Sequence, residues 1–144
     1  MKTDKKKILI LGLPGSGKTT LAKELVPLLN AIHFNADDVR ENITYHLGFE
    51  EKDRIQQAKT MKWLSDKVVA ADHYAVVDFI CPTPATREAF GWKDAFVIWV
   101  DRIEAGRFED TNRMFVKPDH YDFKVIREGS ANYWANWIYD MYFS

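Results

Sequence analysis

Eight residues near the amino end, Gly12-Leu13-Pro14-Gly15-Ser16-Gly17-Lys18-Thr19, follow the pattern G-x-x-x-x-G-K-[ST]. Each residue type has its own chemical use at its position. Glycines let backbone N–H groups converge on phosphate oxygens, where a Cβ would obstruct them. A helix opening at the end of the run adds the positive end of its dipole. Lys18 reaches the β- and γ-phosphates, and Thr19 offers a hydroxyl to Mg²⁺. Pro14, Ser16 and Thr20 complete the expected nucleotide contacts around Gly12, Gly15 and Gly17. The context agrees: the apolar run "KKILILGL" leads in and the amphipathic "GKTTLAKELVPLLN" leads out. A nucleoside triphosphate with Mg²⁺ is the expected ligand pair. No Asn-Lys-x-Asp signature for guanine is present, so ATP is the expected nucleotide.

A second stretch carries chemistry. "FNADDVRENITYHLG", residues 34–48, sets Asp37, Asp38 and Arg40 close together after a short apolar approach. An acidic helix start alone explains two aspartates, because the exposed N–H groups there carry partial positive charge. Beside a phosphate cradle, a second use opens. Asp37 and Arg40 are three apart and share a helix face. Asp37 could accept a hydroxyl proton or orient a Mg²⁺-bound water, and Arg40 could hold an anionic group on an acceptor. A kinase needs such a pocket opposite the cradle, at the carboxyl ends of its strands.

The elements that must position these residues alternate. Strands are expected in "KKILILGL", "AIHF", "YAVVDFI" and "AFVIWVD". Helices are expected in "GKTTLAKELVPLLN", "DDVRENITYHL" and "EEKDRIQQAKTMKWLSDKVVAAD". Pro27 is expected to kink or end the first helix. Gly48 is expected to end the second. The closing "SANYWANWIYDMYF" puts Trp134, Trp137, Ile138 and Met141 on one helical face. Core packing is the first expectation for that face and a homodimer surface the second. Strands alternating with helices imply an α/β fold with a parallel sheet covered on both faces.

At 144 residues the chain is the size of one domain, expected to span 1–144. A hydrophobic share of 47% is globular rather than disordered. The net charge of −1 opposes a surface built throughout for nucleic acid and leaves room for a local basic cleft. Cys81 is the single cysteine, so no internal disulfide forms, which fits a reducing compartment. The basic start and apolar run of "MKTDKKKILILGLPG" are too short for a signal peptide. No stretch reaches the roughly 20 apolar residues of a membrane span. A cytoplasmic location is the expectation.

The order of motifs resembles the adenylylsulfate kinases, P-loop kinases that phosphorylate the ribose 3′-hydroxyl of adenosine 5′-phosphosulfate (APS) with ATP. Their "GLSGSGKST" is similar to "GLPGSGKTT" here, and their "DGDNVR" to Asn35–Arg40, "NADDVR". Their "LGF" is matched by Leu47-Gly48-Phe49, their "EDR" by Lys52-Asp53-Arg54, and their "SFISP" by "DFICP", Asp78–Pro82. The likeness runs in order from Lys7 to Asp101. It implies a P-loop NTPase fold of about five parallel strands, the fifth near Lys124–Ile126. It implies that Asp37 lies near the acceptor hydroxyl and Mg²⁺. It implies that Arg40 and Arg54 anchor the phosphosulfate, and that Phe49 packs on the acceptor base unless it is an ordinary core residue. Phe79, Ile80 and Cys81 fall in the segment expected to line the acceptor pocket.

The departures are specific. Asn35 stands where the family has its first Asp, Cys81 where it has Ser, and Asp78 where it has Ser. An Asp in that last place supports Mg²⁺ in many P-loop proteins, which makes Thr19, Asp37 and Asp78 the expected metal-side set; a buried structural acid is the alternative for Asp78. The family's "KGLYKKA"-like lid segment is missing, and "RIEAGRFEDTNRMFVKPDHYDF" follows Asp101 instead. Arg107 and Arg113 are the candidate lid arginines that would steady the transferred phosphoryl group, with exposed salt-bridging arginines as the alternative. The expected acceptor is a small molecule. A related kinase acting on another small metabolite, a nucleotide or a hydroxymethylated base in nucleic acid is the alternative, motivated by the shorter lid, and a nucleotide-binding module without transfer is the third reading.

Overall fold

The computed structural model describes residues 2–102, 113–126 and 129–144. Five strands form one sheet: β1 (Lys7–Leu11), β2 (Ile32–Asn35), β3 (Ala75–Asp78), β4 (Phe96–Val100) and β5 (Phe123–Val125). They lie in the order β2-β3-β1-β4-β5, every pair parallel. The expected α/β class and five-stranded parallel sheet are therefore present. The fifth strand starts one residue earlier than the expected Lys124, and Ile126 lies outside it, half exposed.

The lack of alternation in β1 has its reason in two covered faces. Ile8 and Ile10 pack toward α1 (Lys18–Leu29) and α5 (Ala131–Ile138). Leu9 and Leu11 pack toward α2 (Ala36–Asn42), α3 (Glu51–Ala70) and α4 (Pro84–Phe90). All five residues of β1 are buried, and its neighbours are β3 and β4. The chain thus departs to opposite sides of β1, and the crevice at that switch point opens at the carboxyl ends of the strands.

Three expectations change at element ends. Helix α1 runs past Pro27 to Leu29 and ends where Asn30 turns left-handed, its N–H bonding Val26 O. Helix α2 stops at Asn42 rather than at Leu47. The β-branched pair Ile43-Thr44 leaves the helix there, and both N–H groups return to Val39 O. The buried Thr44 hydroxyl bonds Gln57 Oε1 at 2.6 Å, so a tertiary contact replaces further helix. The aromatic face of the last helix is only partly packed. Ile138 is fully buried and Trp134 packs on the core, but Trp137 is 37% and Met141 36% exposed. A π-helical turn over Tyr139–Phe143 rotates the face, so Tyr139, Tyr142 and Phe143 meet the core in place of Met141.

Candidate active site

The cradle is held by close backbone approach. A Cβ on Gly12 would stand 2.5 Å from Val100 O, so β1 leaves the sheet against the end of β4 only as glycine. Gly17 caps α1 with φ 102°, a conformation that glycine adopts without steric cost. Lys18 is buried and its ammonium donates to Leu13 O at 2.9 Å, lying across the loop. Ser16 Oγ is buried without a hydrogen-bond partner in the described structure. An unpartnered hydroxyl inside a loop of converging N–H groups suits an incoming phosphate oxygen. Thr20 is exposed on the first turn of α1. Arg102, just beyond β4, brings Nη1 to 3.5 Å from where a Gly17 Cβ would be.

Beside the cradle, Asp78 ends β3 at 1% exposure and stands in register with Asn35 of β2. Its Oδ1 accepts from the Thr19 hydroxyl at 2.8 Å and from Asn35 Nδ2 at 3.0 Å. Its Oδ2 pairs with His33 Nε2. A hydroxyl and one carboxylate form an oxygen donor set that suits Mg²⁺, which is usually held by one or two carboxylates together with substrate phosphates and water. Among the described residues, no cluster of three His, Cys, Asp or Glu side chains offers an all-protein metal cage. Of the expected metal-side residues, Thr19 and Asp78 are joined directly, while Asp37 lies on the first turn of α2 and lines the same cavity.

That cavity, of about 800 Å³, links the two halves of the site. Pro14, Gly15, Lys18 and Thr19 line one end, and Asp37, Arg40, Phe49 and Arg54 line the other, with Phe79, Ile80 and Cys81 between them. The structure thus brings together every residue expected at the acceptor. Arg40 donates to Gly48 O at 2.9 Å, and its guanidinium lies 4.4 Å from the Phe49 ring centre. Arg54 donates from Nε to Phe49 O at 2.9 Å and lies 5.7 Å from the same ring. Phe49 itself is 65% exposed, which removes the core alternative. Burial lowers the Arg40 pKa against the opposing pull of Asp37 and Asp53. Burial also lowers that of Arg54, with Arg40 adding to the effect. Two neighbouring, partly buried guanidiniums would both gain from an anion between them.

The floor is rigid. Cys81 is fully buried with φ 46°, and burial pushes its thiol up to about 12. Arg87 of α4 donates to Cys81 O at 3.0 Å and also bonds Val116 O, while the Val116 N–H bonds Pro82 O at 2.7 Å. Arg113 is exposed beside Met114, which lines the cavity; Arg107 lies outside the described residues. Sequence reasoning missed His33, Arg87 and Arg102. His33 has one available signal, its place two residues before Asn35 on the same strand face. Arg87 and Arg102 read as ordinary surface cations.

The sheet order and the cradle define a P-loop NTPase fold. The chain belongs to the adenylylsulphate kinase family, whose model matches residues 4–100. It is similar to an adenylyl-sulfate kinase from Staphylococcus haemolyticus (strain JCSC1435), 33% identical over 82 residues, which make up 54% of this chain and 41% of that protein. A probable adenylyl-sulfate kinase from Pseudomonas aeruginosa is 35% identical over 83 residues, 54% of this chain and 38% of that protein. The chain thus spans less than half the length of these relatives. Among solved structures, the Mycobacterium tuberculosis APS kinase CysC in complex with AMPPNP and APS superposes with a TM-score of 0.79 at 18% identity, covering 95% of this chain and 96% of that one. A shikimate kinase from Aquifex aeolicus gives 0.64 at 19% identity, covering 94% of each. At these identities the likeness is one of fold. Among the described residues, no helix is long and apolar enough to cross a membrane.

Proposed function

We propose that this chain is an ATP-dependent kinase that transfers the γ-phosphoryl group to a hydroxyl, with the 3′-hydroxyl of APS as the leading acceptor. The observation that carries the reading is one cavity with the cradle at one end and the Asp37–Arg40–Arg54–Phe49 cluster at the other. The family match and the APS-bound neighbour support the acceptor. The reading takes residues 1–144 as one kinase domain.

ATP would lie with its phosphates over Gly12–Thr19, the backbone N–H groups and Lys18 meeting the β/γ oxygens. Thr19 and Asp78 would hold Mg²⁺, which supplies charge neutralisation at the phosphates when bound. Arg40 and Arg54 would clamp the anionic end of the acceptor and Phe49 would stack on its base. This leaves the hydroxyl facing the γ-phosphorus. The acceptor oxygen forms the new P–O bond as the bond to the ADP leaving oxygen breaks. Asp37 accepts the hydroxyl proton or orients the hydroxyl. Positioning and electrostatics supply most of the acceleration in such transfers.

A second reading keeps the same chemistry and enlarges the acceptor. Tyr45 is 79% exposed in the loop that carries the exposed Phe49, and aromatic faces beside arginines suit stacked bases of a nucleic-acid strand. The test is a transfer assay with γ-labelled ATP against APS, nucleosides and hydroxymethylated single-stranded DNA. Label on APS supports the first acceptor, and label on DNA alone replaces it with the second. ATP binding with no labelled acceptor leaves only the non-transferring module.

A further inference from the structure

The proposed Mg²⁺·nucleotide site contains a residue with no role in that account. His33 sits on β2, two residues before Asn35, so both side chains leave the same face of the sheet. Asp78 is the register partner of Asn35 and the diagonal neighbour of His33. The imidazole is mostly buried, 18% exposed, and Nε2 meets Asp78 Oδ2.

The hydrogen-bond inventory around Asp78 closes in a particular way. The carboxylate is shielded from water, so its oxygens need protein donors. Oδ1 takes the Thr19 proton and one Asn35 amide proton. Oδ2 takes the proton on His33 Nε2, since a carboxylate only accepts. Asn35 Nδ2 also donates to Thr19 Oγ1 at 3.1 Å. A threonine hydroxyl has one proton and two lone pairs. Here the proton is spent on Asp78 and one lone pair on Asn35. One lone pair is left, on the hydroxyl of a residue that lines the cavity.

The orientation of that lone pair depends on the plane of the Asp78 carboxylate. Thr19 and Asn35 both hold Oδ1, and among these donors only His33 holds Oδ2. Without His33 the carboxylate is pinned at one oxygen and can rotate about its Cβ–Cγ bond. Its buried Oδ2 would also lack a donor, a costly state that favours rotation or entry of water. We propose that His33 is a positioning residue: by fixing Asp78 Oδ2 it holds the plane of the carboxylate, and through Oδ1 it sets the aim of the remaining Thr19 Oγ1 lone pair toward the divalent cation of a bound nucleotide. Partners of this outer kind orient metal ligands elsewhere, with losses of about 10- to 100-fold in metal affinity when removed.

The inference rests on the reading of the cradle as a Mg²⁺·nucleotide site, and its test separates the two. Binding of a fluorescent ADP analogue is titrated with Mg²⁺, and again in excess EDTA, for the wild type, His33→Gln, His33→Asn and His33→Leu. Folding is monitored by circular dichroism. Gln places an amide N–H close to where Nε2 stands, whereas Asn is too short and Leu has no donor. The expected result is a Mg²⁺ requirement raised about tenfold in His33→Asn and His33→Leu. His33→Gln should stay within about threefold of wild type, and metal-free ADP affinity should be unchanged in all. In an Asp78→Asn background, His33→Asn should add no further loss. Should His33→Leu not fold, the Asn–Gln pair gives the same contrast. Equal Mg²⁺ dependence in every variant, or losses of equal size with and without Mg²⁺, would overturn the positioning role. A wild type that binds ADP with no Mg²⁺ dependence would overturn the underlying reading as well.

Discussion

The two ends of the cavity are built differently. At the cradle, the groups are backbone amides and buried side chains, several of them held by a named partner: Gly12 against Val100, Lys18 on Leu13 O, Asp78 among Thr19, Asn35 and His33. At the other end, the groups are side chains on the short helix α2, its following loop and the first turn of α3. There Phe49 is largely exposed, and Arg40 and Arg54 are tied to loop carbonyls. A phosphate chain presents the same charges in every nucleotide, so one rigid geometry serves. Acceptors differ between kinases, so on the proposed reading the nucleotide would be held by the first region and the acceptor by the second, with Asp37 acting where the two meet.

Substitutions should break this contrast unequally. Lys18→Ala removes the buried cation that lies across the cradle loop. We expect transfer at saturating ATP and Mg²⁺ to fall by roughly 10²- to 10³-fold, the usual cost of losing one preorganised charge contact. Near-normal turnover would mean that the cradle is vestigial. Asp37→Asn keeps the shape and loses the charge. Its kcat should drop by about 10²-fold with little change in ATP affinity, as for a positioned acid–base group. Arg40→Ala should act mainly on the acceptor KM, raising it by roughly tenfold to a hundredfold for a contact of ~1.5–3 kcal/mol. ATP binding measured without acceptor should not respond to either change, and a parallel loss there would erase the distinction between the two ends. The smallest effect concerns the floor. The Cys81 thiol, pushed up to about 12, keeps its proton through the ordinary thiol range. Iodoacetamide at mildly alkaline pH should label the urea-unfolded chain and leave the native chain untouched; rapid native labelling would show that the floor opens. The sign for stability follows. Folding retains a proton that the unfolded thiol loses, so this group makes stability fall as pH rises from the ordinary thiol value toward about 12.

Much of this was legible from residues 7–101. The buried strand, the cradle and the following helix share one unbroken pattern, because local sequence dictates a glycine-rich strand-to-helix turn. Asp37 and Arg40 could be placed by helical spacing and Phe49 and Arg54 by the family resemblance, and the structure gathers all four around one cavity. The missed parts depend on contacts distant in sequence. Helix α2 ends early because Thr44 finds Gln57 on α3, which no local propensity reveals. His33 matters because β2 and β3 align in register, bringing residues 45 apart into one bond. Met141 is off the packed face because a π turn over Tyr139–Phe143 changes the helical period, while Trp137, before that turn, stays at the edge of the face with its ring 5.1 Å from that of Phe123. Arg87 gains its role only where the chain near Val116 returns to the β3 end.

The central claim is that the cavity joins an ATP donor to a hydroxyl acceptor. The most direct measurement is the initial rate of label transfer from γ-labelled ATP in Mg²⁺, with APS present and with water alone, followed by separation of the labelled products. The account predicts label on the 3′-oxygen of APS, dependent on Mg²⁺ and far faster than release of inorganic phosphate. Label found only as inorganic phosphate at a rate indifferent to APS, or no loss of γ-phosphate under either condition, would contradict it.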